Sequence, residues 1–176
     1  VEGVVNKNNS VFLNKINFTE SKNFIKVKNI NLNSKKKLKR IDQIDVDLVN
    51  NNDQISQLNI KRKKSNYSIN SKIFDGTKIL DRILFSKSER NFFDVFEKLN
   101  SNITVNFNTI YINNEDYLTN FKVDMIVNNN QIKDLILSSQ FSTKEDLKLS
   151  IKTNLNNERI TDLFAGNAKP LVKKYD

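Results

Sequence analysis

Histidine and cysteine are both absent from this chain of 176 residues. Without cysteine there is no disulfide, no thiolate metal site and no thiol nucleophile. Without histidine the commonest general base and the commonest metal ligand are missing together. Tryptophan is absent, proline occurs once and glycine three times. Three scattered glycines build neither a Gly-x-Gly-x-x-Gly turn nor a Walker loop. No Gly-x-Ser-x-Gly elbow is present, and Ser34 to Lys37 matches Ser-x-x-Lys only inside a basic turn. No apolar run approaches the roughly 18 residues of a membrane helix, and no charged-then-apolar leader opens the chain. These absences argue against an enzyme, a metal site and a cofactor.

Asparagine fills the gap left by glycine. It clusters at Asn50-Asn51-Asn52-Asp53, Asn113-Asn114-Glu115-Asp116, Asn128-Asn129-Asn130 and Asn156-Asn157. Asparagine tolerates the left-handed conformation that tight hairpins need, so these clusters mark turns. The net charge is +9 and the isoelectric point about 9.6. A chain rich in Lys, Asn and Ile is what an AT-rich coding sequence supplies, so the charge by itself names no partner. Only 38% of residues are hydrophobic, yet they are phased rather than scattered, which separates the chain from disordered sequences.

That phasing is clearest from Leu99 to Leu155. Leu99, Ile103, Val105, Phe107 and Tyr111 share one parity; so do Phe121, Val123, Met125 and Val127; then Leu135, Leu137 and Phe141; then Leu147, Leu149, Ile151 and Leu155. Period 2 is the side-chain repeat of a strand, so each run turns its apolar residues to one face. Strand-like runs also precede it: Val1 to Val5, Ser10 to Thr19, Lys22 to Leu32, Lys37 to Val49, Asp53 to Arg62 and Ser65 to Phe74. A phase change inside the third run predicts a bulge near Asn29. Apolar residues at Ile79, Leu80, Ile83 and Leu84 switch to helical spacing, with Asp75 or Thr77 as N-cap, predicting a short helix near 75–85. Ser86 to Lys98 reads as loop with some helix. Glu158 to Phe164 is a further strand, and Asn167 caps a predicted helix over 167–175. The fold class expected is mainly β, an antiparallel meander forming a one-sided, curled sheet. The chain opens on Val1 rather than Met and reads as one β-rich segment, 1–176, of a longer protein. A weak duplication of 1–85 in 99–176 is visible.

Candidate chemistry is thin. Asp42, Asp45 and Asp47, then Glu115 with Asp116 and Glu145 with Asp146, read as solvated carboxylates on strand faces and in turns. Two basic clusters, Lys35 to Arg40 and Lys61 to Lys64, are able to meet phosphates. Base stacking wants aromatics beside them, and Tyr67 stands alone, which disfavours nucleic acid.

Three stretches resemble a known family. Tyr67 to Leu80, a strand closing on Phe74-Asp75-Gly76 before a helix, the meander 99–155, and Ile160 to Asp176, with its Phe164-Ala165-Gly166 step, are similar to segments of bacterial AsmA-like proteins of the YhdP type. The resemblance implies a groove-like β-sheet in an inner-membrane-anchored periplasmic protein implicated in phospholipid transfer or outer-membrane assembly. It carries over no catalytic residue. On this reading the apolar face lines a groove for phospholipid acyl chains, through Ile103, Val105, Phe107, Phe121, Val123, Met125, Leu135, Leu137, Leu147, Leu149 and Ile151. The alternatives are a basic β-domain that binds nucleic acid or an anionic surface, and a purely structural β-sandwich.

Overall fold

The computed structural model describes residues 1–49, 55–77, 92–113, 115–154, 156 and 158–169. Among them, twelve strands form one open sheet in the order β1-β2-β3-β5-β6-β7-β8-β9-β10-β11-β12, with β4 paired to β3 off that path. The strands are β1 (Glu2–Val5), β2 (Val11–Glu20), β3 (Asn23–Leu32), β4 (Leu38–Arg40), β5 (Gln43–Val49), β6 (Ile55–Lys63), β7 (Asn66–Asp75), β8 (Ser101–Tyr111), β9 (Tyr117–Asn128), β10 (Gln131–Phe141), β11 (Asp146–Thr153) and β12 (Arg159–Ala165). Eleven strands side by side at a spacing near 4.8 Å make a sheet about 48 Å across.

Every joint is antiparallel except one: β7 and β8 run parallel, Tyr67 opposite Ile103 and Ile69 opposite Val105. A hairpin cannot make a parallel pair, so the chain crosses over between Asp75 and Ser101. A 3-10 helix, Phe92–Val95, lies in that crossover. The helix expected near 75–85 falls mostly outside the described residues. At its predicted start, Asp75 Oδ1 accepts from the Thr77 amide (3.1 Å) and hydroxyl (2.7 Å), as an N-cap does. The helix expected over 167–175 also lies largely outside the described residues, though Asn167 Oδ1 accepts from the Lys169 amide at 3.1 Å.

Asparagine makes turns in two ways. Asn129 and Asn130 take φ of 50° and 65°, closing a two-residue hairpin between Asn128 and Gln131. Asn113 and Asn154 instead use their side chains: Asn113 Oδ1 accepts from the Glu115 and Asp116 amides, and Asn154 Oδ1 from the Asn156 and Glu158 amides. Asn29, at φ 52° inside β3, sits where the phase change fell. Asn120 does the same in β9, so that Leu118 and Phe121 are both buried despite their odd spacing. Across the joint β8 shifts in step, from Phe107 to Ile110. Tyr111 therefore leaves the buried parity it was expected to share with Ile103 and Phe107, and Ile110 and Ile112 take the core positions. The run from Lys37 to Val49 likewise divides into β4 and β5, because Ile41 turns inward and is buried while both pieces pair with β3.

The registers align the side chains into rows. One row runs Ile16, Val27, Ile44, Ile60, Ile69, Val105, Val123, Leu137, Leu149 and Leu163, from β2 to β12 without a polar residue. The neighbouring row, on the other face, runs Asn17, Lys26, Asp45, Asn59, Asn70, Asn106, Lys122, Ser138, Lys148 and Phe164, polar until its last member. One face of the sheet is thus apolar across ten strands, as period 2 demands when registers stay in phase.

Candidate functional site

The apolar face is covered unevenly. Over β8 to β11 it is sealed: Ile103, Val105, Phe107, Phe121, Val123, Leu135, Leu147 and Ile151 are buried, and Met125, Leu137 and Leu149 partly so. All eleven residues assigned to an acyl-chain lining therefore belong to the packed half of the sheet. Described crossover residues contribute to that packing. Phe93 and Leu99 are buried, and Phe96 meets the Tyr67 ring edge-on at 6.3 Å between centroids. Asn130 fixes this segment, accepting from the Leu99 amide at 2.6 Å and donating to the Phe96 carbonyl at 3.1 Å. The Glu97 amide donates to the Leu38 carbonyl at 2.8 Å, tying the crossover to β4.

Over β2 to β6 the same face is less completely covered. Ile16, Ile25, Val27, Ile44, Val46, Leu58 and Ile60 are only half-buried, and Phe18 is 50% exposed. Ile16, Val27, Ile44, Leu58 and Ile60 pack against the core cluster, whereas Ile25 and Val46 stand outside it. Phe18, Ile25, Val46 and Leu58 form a second apolar row beside the first. The sequence signal for this accessible half was present as alternation in each run. What it lacked was the register that joins the runs into rows.

At one end of these strands lies a polar cleft of about 520 Å³, lined by Lys28, Asn29, Arg40, Asp42, Gln43, Lys61, Arg62 and Lys64; its row Lys28, Gln43 and Lys61 falls on the polar face, two residues on from Lys26, Asp45 and Asn59. Arg62 differs in register from that row: it lies opposite Tyr67, which lies opposite Ile103 of the apolar face. Asp42 is the cleft's one acid. It accepts from Arg40 Nε at 2.6 Å and Nη2 at 2.9 Å and from Asn29 Nδ2 at 3.1 Å, and Arg62 Nη1 stands 3.7 Å away. The Arg40 hydrogen bond, supported by Asn29 and the two guanidinium charges, holds the Asp42 carboxyl below the usual carboxylate range against the opposing effect of burial. Burial pushes the Tyr67 hydroxyl up.

The two basic clusters meet only in part. Arg40, Lys61, Arg62 and Lys64 reach the cleft. Lys36 and Lys37 instead donate to the Asn9 and Asp94 carbonyls, and Lys39 pairs with Glu97 at 3.8 Å. Lys28, which the sequence did not single out, joins because β3 and β6 both flank β5: Lys28 lies opposite Gln43, and Gln43 opposite Lys61. The carboxylates are dispersed. Asp45 accepts from Asn59 and Gln43 on the polar face, Asp116 closes a turn with Asn113, and Asp146 is held low by the Lys148 ammonium, 2.9 Å away. Among the described residues no three acidic side chains gather as a metal site, and no helix is long and apolar enough to cross a membrane. Comparison with protein-family models, with curated proteins and with solved structures returns no match.

Proposed function

We propose that this chain is a segment of a lipid-handling envelope protein and that acyl chains lie against the apolar face of its open sheet. The observation that carries the reading is the unbroken apolar row from Ile16 to Leu163, with the stretch over β2 to β6 only half covered. Half-buried aliphatic side chains over four neighbouring strands, β2, β3, β5 and β6, make a continuous apolar surface, which water covers at a cost of about 25 cal/mol per Å². A hydrocarbon chain removes that cost without needing any fixed motif, which suits a site with no catalytic set. The accessible lining is then Ile16, Val27, Ile44 and Ile60 with Phe18, Ile25, Val46 and Leu58. The residues of β8 to β11 act as the rigid floor that continues it. The resemblance to AsmA-like proteins supports a periplasmic setting, with the inner-membrane anchor elsewhere in the parent protein.

The test is mass spectrometry of lipids that copurify with the chain, paired with photo-crosslinking from a benzophenone side chain at Ile44. The expected result is crosslinked phospholipid at Ile44 and none from the same probe at Asn59 on the polar face. Lipid-free protein that also takes up no added fluorescent fatty acid would sink the reading.

A further inference from the structure

Lysines crowd one part of the polar face. Lys15 and Lys28 lie directly opposite in β2 and β3, Lys28 lies opposite Gln43, and Gln43 opposite Lys61, so one cross-strand row carries three lysines over four strands. Like charges directly opposite destabilise a strand pair. The row runs into the cleft, where Arg40, Arg62 and Lys64 join Lys28 and Lys61. Five cations there face one carboxylate, Asp42, which is engaged by both guanidiniums. Asp45, in the next row of that face, accepts from the Gln43 and Asn59 side-chain amides instead. Glu2 lies opposite Lys15 on the edge strand, outside the cleft. The side chains of Lys15, Lys28, Lys61 and Lys64 make no hydrogen bond or ion pair among the described residues. Four positive charges in excess are thus held around about 520 Å³, and they repel one another until an anion comes between them.

We propose that this cleft binds a linear oligophosphate, two or more linked phosphates lying along the row from Lys28 to Lys61. Charge sets the length. One phosphate group carries about −1.5 to −2 at neutral pH and leaves much of the excess uncompensated, whereas linked phosphates bring it near balance. Spacing agrees: Lys28 and Lys61 stand two strand intervals apart, about 10 Å, with the uncharged Gln43 between them, so a chain of phosphates meets both ends of the row. The chemistry of the lining agrees as well. An arginine pinned by a carboxylate keeps free N–H groups in a fixed fork, and lysines supply mobile point charges, which together suit tetrahedral oxyanions. The ligand is read by its phosphates alone. The neighbouring polar row is Asn17, Lys26, Asp45, Asn59 and Asn70, and the one ring beside the cleft, Tyr67, is 6% exposed and engaged by Phe96, so no platform is offered to a base. This site is independent of the acyl-chain reading, since its lysine row lies on the opposite face of the sheet.

The experiment is titration calorimetry on the whole chain with inorganic phosphate, pyrophosphate, tripolyphosphate and ADP, at an ionic strength of about 0.15 M, where attraction between exposed charges is screened beyond about 8 Å. Each ligand is measured on the native chain, on K28Q/K61Q/K64Q, and on K7Q/K72Q/K152Q, which removes the same charge from exposed positions elsewhere. Affinity should rise from phosphate to pyrophosphate to tripolyphosphate, by tenfold or more in all. The cleft variant should lose tenfold or more for tripolyphosphate and the control should change little. ADP should bind no tighter than pyrophosphate. Absence of tripolyphosphate binding, or equal loss in the two variants, would overturn the site, the second by reducing it to bulk charge. Phosphate binding as tightly as tripolyphosphate would overturn the oligophosphate. ADP binding tenfold tighter than pyrophosphate would reveal a base contact and overturn recognition by phosphate alone. Thermal unfolding of each variant within a few degrees of native excludes misfolding as the cause, and K61Q, a single change at an exposed position, should show the same loss in smaller degree.

Discussion

Arg40 grips Asp42 through two nitrogens, at 2.6 and 2.9 Å, across a single intervening residue, Ile41, whose side chain is buried. The buried isoleucine turns the chain between β4 and β5, and the two charged neighbours close over it. Asp42 also receives Asn29 from β3, and its backbone joins β3 to β6, its amide donating to the Lys28 carbonyl and its carbonyl accepting from Arg62. Replacing Asp42 by Asn removes the charge that two guanidiniums share. It should destabilise the chain by about 1–2 kcal/mol, measured by urea unfolding. The pH dependence follows from the direction of the shift. The folded carboxyl titrates below its unfolded value of about 3.9, so its contribution is complete above that pH and is lost as pH falls through the lower folded value. Asp42→Asn should therefore flatten the acid limb of the stability curve and leave its neutral region parallel to native.

Asn130 holds the crossover with both ends of its amide. Asn130→Asp keeps the acceptor for the Leu99 amide but loses the donor to the Phe96 carbonyl. Asn130→Gly keeps the positive φ and loses both bonds. Glycine should cost more than aspartate, each within about 1–3 kcal/mol, and in the glycine variant hydrogen exchange should accelerate first at the Leu99 amide.

Two phenylalanines separate the sealed and accessible halves of the apolar face. Phe141 is 1% exposed and Phe18 is 50% exposed. Phe141→Ala should cost about 3–5 kcal/mol, whereas Phe18→Ala should stay within about 0.5 kcal/mol. If acyl chains use the face over β2 to β6, the second substitution should still weaken uptake of a fluorescent fatty acid.

Gly76 follows β7 where the crossover begins, and its backbone lies against β8. A Cβ there would stand 2.7 Å from two atoms of the Ile110 side chain and 3.0 Å from the Tyr111 carbonyl oxygen. The Gly76 amide donates to that same carbonyl at 2.9 Å, so the backbone has little room to retreat. Gly76→Ala should destabilise by about 1–3 kcal/mol, and pairing it with Ile110→Val should recover part of that loss.

β12 has a neighbour, β11, on one side only among the described residues, and it exposes Ile160, Leu163 and Phe164. An edge of this kind templates further strands. The chain in isolation should self-associate, and Leu163→Lys should suppress that association by light scattering while leaving the unfolding midpoint within a few degrees.

The strands were legible because their alternation is local: Ile103, Val105 and Phe107 announce a half-buried strand without reference to any partner. Asn29 was legible for the same reason, as a break in phase between Val27 and Ile30. What the residues did not disclose is what depends on register. Nothing in Tyr67 or Ile103 tells that they lie side by side in parallel, since the crossover between them sets that pairing. The candidate lining failed to separate accessible from sealed for a related reason. Val105 and Ile44 occupy the same row and carry the same pattern, yet the first is buried and the second only half-buried. The cleft was half legible: Lys61 to Lys64 stood out as a cluster, but Lys28 joins it only through Gln43.

The parallel joint between β7 and β8 also bears on the order in which the molecule forms. Each other neighbouring pair in the main path is separated in sequence by ten residues or fewer, the longest being 33–42 between β3 and β5, so its ends meet early and lose little chain entropy in doing so. Aligning Tyr67 with Ile103 requires first drawing together two strands separated by the entire crossover, from Gly76 to Asn100. Loop-closure entropy therefore predicts that the two halves, β1 to β7 and β8 to β12, form first and dock late. During that interval β7 and β8 both present bare edges, and a second molecule's edge competes with the correct one for either.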